Sequence, residues 1–477
     1  MFVGFKSGSL ALIAIVLAYM YTKNTDDYLQ QHLDEVLSGL LRAEEKVPFG
    51  GEQLASPKVA VGFGACLDVL GDADDILKHV NAQPPSLPQH FDHIENLEQL
   101  EKVFAYFFRH GAAAERYVDN STFFSKLARG AETLSDVTVT LGGNAPVMAS
   151  RFLSEGCQVM LGAKMTESLK SQLSPEVIVA GGNVDEDDIH LVMEYKKGQQ
   201  WGPYVSPRAN RFIVHNDQNN PTLSSLDLFA EQVSVFSPSL LVVGGLQMLD
   251  NFPFKAGERK GHLGRLESFL KETPRETRVH FEMASFAEEA CLKDVIDSVV
   301  YYSDSLGMNE QELPNLHSLL TSGNITLISD PYPRVATALD HMRAIYSLLK
   351  NTPETHGRRR LTRLHVHTLA FQAILTTKGS SWKNTMSAAA KASLTANRHT
   401  CGSPAIQTHK AKILMDESFS TTREGGHRVH FHSERPVSCW QEDDFDICIA
   451  PVLVCTEVVQ TAGGGDNISS AGLVLQI

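Results

Sequence analysis

In this 477-residue chain, the segment best suited to chemistry is Gly463-Gly464-Gly465-Asp466, between the apolar run Ala450–Cys455 and the helix-like stretch Ile468–Leu475. Consecutive glycines let several backbone N–H groups converge on a phosphate, and a following helix adds the positive end of its dipole. An acid there repels the anion unless it has a second task. Asp466 would have one if it took a proton from an attacking hydroxyl while the amides held the charge of a transferring phosphoryl group. A glycine-rich turn whose Asp caps a helix is the plainer reading, and on this motif alone both stay open. Asn309-Glu-Gln-Glu312 is the second signal. Carboxylates at a helix start beside a phosphate suit Mg²⁺, yet Asn followed three residues later by Glu is also an ordinary cap. Glu282 is sharper, because it closes the apolar strand Val279-His-Phe281 at a place where a core position would be apolar. Glu282, Glu312 and Asp466 would together form a metal and base cluster around one phosphate.

The elements needed to position these residues are legible as alternating strands and helices. Val59–Phe63, Val137–Leu141, Gln158–Leu161, Leu240–Val243, Val279–Phe281, Val299–Tyr302 and Ala450–Cys455 are apolar, and most close on Gly or a polar residue. That pattern predicts an α/β fold with a mostly parallel central sheet flanked by helices, and ligands gathered at the carboxyl ends of the strands. Ile189–Tyr195 and Asn210–Val214 break the rhythm and resemble antiparallel strands with polar turns. With Asp68–Glu115 they predict a small α+β lid inserted over the sheet, built from segments near 64–115 and 183–216. Asp26–Glu45 carries Leu29, Leu33, Leu37, Leu40 and Leu41 on one face, which predicts an amphipathic helix. It is either a helical spacer within 24–56 or a helix packed on the domain that begins near Pro57.

With 42 Lys and Arg against 56 Asp and Glu, the net charge of −14 argues against a nucleic-acid binder. Sixteen uncharged residues, Ser7–Thr22, lie between Lys6 and Lys23, so residues 1–23 fit a signal peptide or signal-anchor. The expected location is the secretory pathway: endoplasmic reticulum, lumenal or membrane-attached, or secreted. Seven scattered cysteines do not make a disulfide scaffold, and Cys157, Cys448 and Cys455 fit best as small buried residues. His427, His430 and His432 alternate along a strand-like stretch and fit surface positions better than a zinc site. The sequons Asn120-Ser-Thr122, Asn324-Ile-Thr326 and Asn467-Ile-Ser469 are permissive for glycosylation, although a glycan on Asn467 would obstruct the glycine-loop site.

Longer strings narrow the identity. Gly111–Arg116, Leu141-Gly-Gly-Asn-Ala145, Arg208-Ala-Asn-Arg-Phe-Ile213, His280-Phe-Glu-Met-Ala-Ser285, Leu306–Leu313 and His365-Val-His-Thr368 occur in consistent order from about Pro57 onward. Together they resemble the ADP-dependent glucokinase family, in its animal, endoplasmic-reticulum-associated form, within the ribokinase-like superfamily. The resemblance implies Mg²⁺-dependent phosphoryl transfer from ADP to the 6-hydroxyl of glucose, giving AMP and glucose 6-phosphate. It implies Asp466 as catalytic base, and Glu282, Glu312 and Asp466 on the metal. Asp68, Glu115, Gly143 and Asn144 fall on the sugar side. Arg208, Arg211, His367, Val454, Gly463, Gly464 and Gly465 fall on the nucleotide side. The chain departs from the family pattern at Gly64, Cys66, Gly464 and Asn467.

Two other readings are weighed against an active glucokinase, which is expected to be a monomer. One is a kinase with a changed donor or acceptor, such as ATP or fructose 6-phosphate; Glu115 opposes a phosphorylated sugar, since a carboxylate repels a second phosphate. The other is a catalytically weak, membrane-tethered sugar- or nucleotide-binding protein, against which the retained acids speak.

Overall fold

The computed structural model describes residues 23, 26–45, 56–325, 330 and 332–477. The apolar segment Ser7–Thr22 lies outside the described residues; among those described, no helix is long and apolar enough to cross a membrane.

The body is a ten-stranded sheet. Seven strands run parallel in the order Ile178–Ala180, Gln158–Gly162, Lys58–Gly62, Leu240–Val243, Arg278–Glu282, Ser305–Asn309, Arg363–His367. Three antiparallel strands, Phe371–Thr377, Phe445–Pro451 and Ser438–Gln441, extend it beyond Arg363–His367. Central strands such as Leu240–Val243 are buried at every position, as strands covered on both faces must be, so their sequences are continuous apolar runs. Exceptions cluster in three neighbours: His280, Glu282, Ser305, Arg363, His365 and His367 are all buried in the sheet. Polar residues in a central sheet are a local violation of core patterning, of the kind that marks function.

The lid is a six-stranded mixed sheet in the order His93–Ile94, Ala114–Val118, Asn210–His215, Ile189–Tyr195, Cys66–Asp72, Thr138–Gly142. Its own core is aromatic, with Phe104 set edge-on to Trp201 at 5.1 Å and stacked on Phe108 at 5.3 Å. The lid is therefore larger than the sequence suggests. The Val137–Leu141 run is its edge strand, antiparallel to Cys66–Asp72, and not a member of the central sheet. Thr138 and Val139 face solvent, which an edge strand allows and a central parallel strand does not.

Other expectations are corrected. Val299–Tyr302 is no strand: Val300–Tyr302 forms a 3₁₀ turn, and the strand is the next segment, Ser305–Asn309. Val299, Val300 and Tyr302 are apolar because they fill the core at the end of a helix, a case periodicity alone does not separate from a strand. Cys448 and Cys455 are buried but not free. Cys455 is bonded to Cys401 and Cys448 to Cys439, while Cys66, Cys157 and Cys291 are the free thiols. The helix over 26–45 is not a spacer, since Val36, Leu40 and Ala43 are buried in the body's core. Its Glu44 pairs with Lys391 at 3.2 Å and Arg398 at 3.3 Å.

Candidate active site

A cleft of about 570 Å³ lies between lid and body. Its walls bring together Asp466, Glu282, Glu312, Glu115, Asn144, Arg208, Arg211, His367, Val454 and Gly463–Gly465, which lie up to 351 residues apart in sequence.

The catalytic wall begins at Gly463, whose left-handed φ of 67° starts the helix Gly464–Val474. Asp466 sits in the first turn, 9 % exposed, where helix N–H groups have no partners of their own. Asn144 Nδ2 donates to Asp466 Oδ1 at 3.0 Å, and Gln247 Nε2 fixes Asn144 by donating to its Oδ1 at 2.8 Å. Burial, with Glu282's negative charge nearby, pushes the Asp466 carboxyl up to about 7. Asp466 does not cap the helix by a side-chain hydrogen bond; its oxygens serve the cleft. Asn467 holds the loop shut from behind, donating to Gly463 O at 2.9 Å and accepting from Arg151 Nε at 2.9 Å. Its amide is thus engaged at both ends, against glycosylation of that sequon.

Glu282 ends the strand Arg278–Glu282 at 3 % exposure. His280 Nε2 meets its Oε2 at 2.9 Å and His367 Nε2 its Oε1 at 3.0 Å. Burial alone would raise this carboxyl, but the two histidine contacts outweigh it and hold the group well below the usual carboxylate range. His367 is accordingly placed to orient Glu282, directly beneath Gly465, where a Cβ would crowd its ring. Asn309 and Glu312 form a reciprocal cap: Asn309 N donates to Glu312 Oε2 at 2.8 Å, and Glu312 N to Asn309 Oδ1 at 2.9 Å. The cap reading of this motif is correct, and it also delivers Glu312 to the cleft. Burial pushes that carboxyl up to about 8.

Glu282, Glu312 and Asp466 offer oxygen donors of the kind a hard divalent cation takes and line the same cleft, but their oxygens do not all lie within 4.8 Å of one another and both Glu282 oxygens contact histidines, so they form no ready-made cage for an ion.

The sugar-side acids gather around one buried histidine, His190. Glu115 lines the cleft and contacts His190 Nδ1 at 3.3 Å. Asp68, partly exposed, lies beside the same histidine, and Gly143 precedes the cleft residue Asn144. Asp68 accepts from Cys66 Sγ at 3.2 Å, and Gly143, at φ 91°, packs on the Gly64 backbone where a Cβ would collide. His190, missed by the sequence reading, is the hub: its Nε2 meets Asp217 at 3.0 Å, and Asp217, Glu115 and Asp68 overcome burial to lift it to about 10.

The nucleotide-side arginines come from the lid. Arg208 bonds Gly111 O through Nε at 2.7 Å and Glu310 Oε1 through Nη1 at 3.1 Å. Arg211 reaches Thr461 O at 3.4 Å. Glu194, also missed, ties the lid strand Ile189–Tyr195 to the glycine-loop approach by accepting from Thr461 N and Oγ1, both at 2.9 Å. Period-two alternation offered one usable signal, placing His280 and Glu282 on the same strand face.

A family profile described as ADP-specific phosphofructokinase/glucokinase conserved region matches residues 57–475. The chain belongs to that family. Among curated members, it is 31 % identical over 422 residues to an ADP-dependent glucokinase of Bos taurus, covering 87 % of this chain and 84 % of the relative. It is 27 % identical to a probable ADP-dependent glucokinase of Caenorhabditis elegans, covering 98 % and 94 %. Its fold matches an ADP-dependent kinase solved with fructose 6-phosphate and ADPβS, at a TM-score of 0.64 and 17 % identity over 94 % of this chain and 97 % of that one. As an ADP-specific phosphofructokinase/glucokinase family member, it is a phosphotransferase.

Proposed function

We propose that the protein is an ADP-dependent glucokinase, moving the terminal phosphoryl group of ADP to the 6-hydroxyl of glucose and releasing AMP. The observation that carries this reading is Asp466, a buried carboxyl poised at about 7 at the start of the glycine-loop helix, fixed by Asn144. A base with that affinity takes the hydroxyl proton near neutral pH as the oxygen attacks phosphorus. The first-turn N–H groups and the lid arginines neutralise charge on the phosphoryl oxygens. Glu282, Glu312 and Asp466, drawn closer or acting through water, would hold Mg²⁺, which would supply further neutralisation of phosphate charge. On the acceptor side, Glu115, backed by Asp217, favours a neutral sugar and disfavours a second phosphate. Glucose is also the acceptor named for the glucokinase relatives in cattle and nematode. The paired cysteines 401–455 and 439–448 support residence in an oxidising compartment, in keeping with the proposed endoplasmic-reticulum location.

The test is product formation by the full chain with Mg²⁺, offering ADP or ATP as donor and glucose or fructose 6-phosphate as acceptor. Glucose 6-phosphate from ADP, absent in Asp466→Asn, is the expected result. Product only from ATP, or only from fructose 6-phosphate, would replace the donor or acceptor. Nucleotide binding without product from any pair would instead favour a binding protein.

A further inference from the structure

Arg363 is fully buried in the middle of the sheet, and both of its side-chain hydrogen-bond partners are neutral. Nε donates to Gln476 Oε1 at 2.6 Å and Nη1 to Ser305 Oγ at 3.0 Å, while the guanidinium lies 5.6 Å from the Trp382 ring. An interior guanidinium without a carboxylate against it is costly, so its charge calls for a counterpart at a distance. The strand register supplies one. His280 is paired with Ser305 and Ser305 with Arg363, so these three side chains form a row straight across neighbouring strands. One step along the same face, Glu282 is paired with Gly307, whose missing side chain leaves room for the carboxylate. The resulting chain is continuous: Arg363 to Ser305, Ser305 to His280 Nδ1 at 2.8 Å, and His280 Nε2 to Glu282 Oε2 at 2.9 Å.

Donor and acceptor inventory gives this chain a direction. Arginine donates and never accepts, so Arg363 occupies a lone pair of Ser305. The other partner of Ser305 Oγ is His280 Nδ1, the acceptor its buried hydroxyl proton needs, so the proton of His280 lies on Nε2, toward Glu282. Ser305 then donates its own proton to His280 Nδ1. The alternative, a histidine protonated on both nitrogens, would leave the Ser305 proton without an acceptor and put two cations in succession inside the sheet.

We propose that Arg363 is a positioning residue for phosphoryl transfer: through Ser305 it fixes His280 in the Nε2–H tautomer, and that tautomer points a donor at Glu282 Oε2 and orients the Glu282 side chain toward the cleft. Its functional consequence rests on the phosphoryl-transfer reading above; the proton arrangement does not.

The test therefore begins with ¹⁵N-histidine-labelled full-length protein, with His280 assigned by the signals lost in His280→Gln. A neutral ring protonated at Nε2 is expected. A ring protonated on both nitrogens, or at Nδ1 alone, overturns the proposal whether or not the protein is active. Ser305→Ala and Arg363→Met are each expected to disturb that signature. They should also raise the half-saturating Mg²⁺ concentration with ADP by about tenfold, in the range typical for partners behind metal-facing groups. The KM for glucose should be unchanged, and Ser305→Thr, which keeps the hydroxyl, should restore the wild-type pattern. A Ser305→Ala protein with the wild-type His280 signature and Mg²⁺ dependence overturns the proposal. Failure of the kinase reading would appear separately, as a wild-type chain that yields no product, and the His280 signals would still decide the proton arrangement.

Discussion

Asp466 and Glu312 are carboxyls whose affinity for protons is raised by burial, to about 7 and about 8 from ordinary values of 3.8 and 4.5. Their contribution to stability is complete below about pH 4 and is lost as pH rises through those raised values, because the native state then holds desolvated charges. In metal-free protein, Asp466→Asn removes one of those charges while keeping an acceptor for Asn144. It is expected to be inactive yet more stable than wild type at pH 8 by about 1–3 kcal/mol, with the difference vanishing near pH 4; thermal melts in EDTA across that range check it. For the active enzyme, the same base predicts that turnover rises with pH toward a plateau as Asp466 ionises, a limb that a pH–rate profile would display. Gly307 is a second residue-scale test. A Cβ there would collide with Glu282 Oε2 and crowd Ser469. Gly307→Ala should fold but lose at least about tenfold in kcat by displacing the acid, measurable beside an unchanged circular dichroism spectrum.

At the scale of elements, the helix over 26–45 is part of the body's core. Val36 and Leu40 are fully buried against it, and Glu44 joins Lys391 and Arg398 on the helix Thr385–Thr400. The far end of that second helix contributes Thr400 to the cleft wall, and the adjoining Cys401 is stapled to Cys455 on the same wall. Leu40→Ala is expected to cost about 2–5 kcal/mol, read as a lower urea midpoint with an unchanged slope. The sequence pattern established this helix and much of its apolar face, although Leu29 is exposed and Val36 and Ala43 join the buried side. It left open whether the face is covered, because the covering surface comes from residues hundreds of positions later.

At the scale of the molecule, lid and body are joined across the cleft by a few charge-assisted contacts: Glu194 to Thr461, Arg208 to Glu310, and Arg211 to Thr461 O. Contacts of this kind are each worth about 1.5–3 kcal/mol and are easily remade, which suits a lid that must open for substrates and close to exclude water. Glu194→Gln keeps the shape but weakens the tie to the loop preceding the glycines. It should lower kcat/KM for ADP about tenfold, measurable by initial rates at saturating glucose, while leaving the thermal midpoint within about 2 °C.

What the sequence determined by itself was local chemistry and order along the chain. Glycines followed by an acid, an Asn-x-x-Glu cap, an acid at the end of an apolar strand and alternating strands and helices each follow from short-range backbone preferences and burial. Family strings in consistent order carried the reading from there to a kinase. Only the tertiary structure decided which residues face the cleft and which stand behind it. Asp68 gathers with His190 and Cys66, His367 serves Glu282, and the hub His190 and the tie Glu194 enter through strands whose patterns look purely structural. The run Val137–Leu141 went to the lid and Val299–Tyr302 to a turn for the same reason. An apolar run states that it will be buried, but its partner is chosen by register and packing between segments far apart in the chain, and nothing within the run encodes that choice.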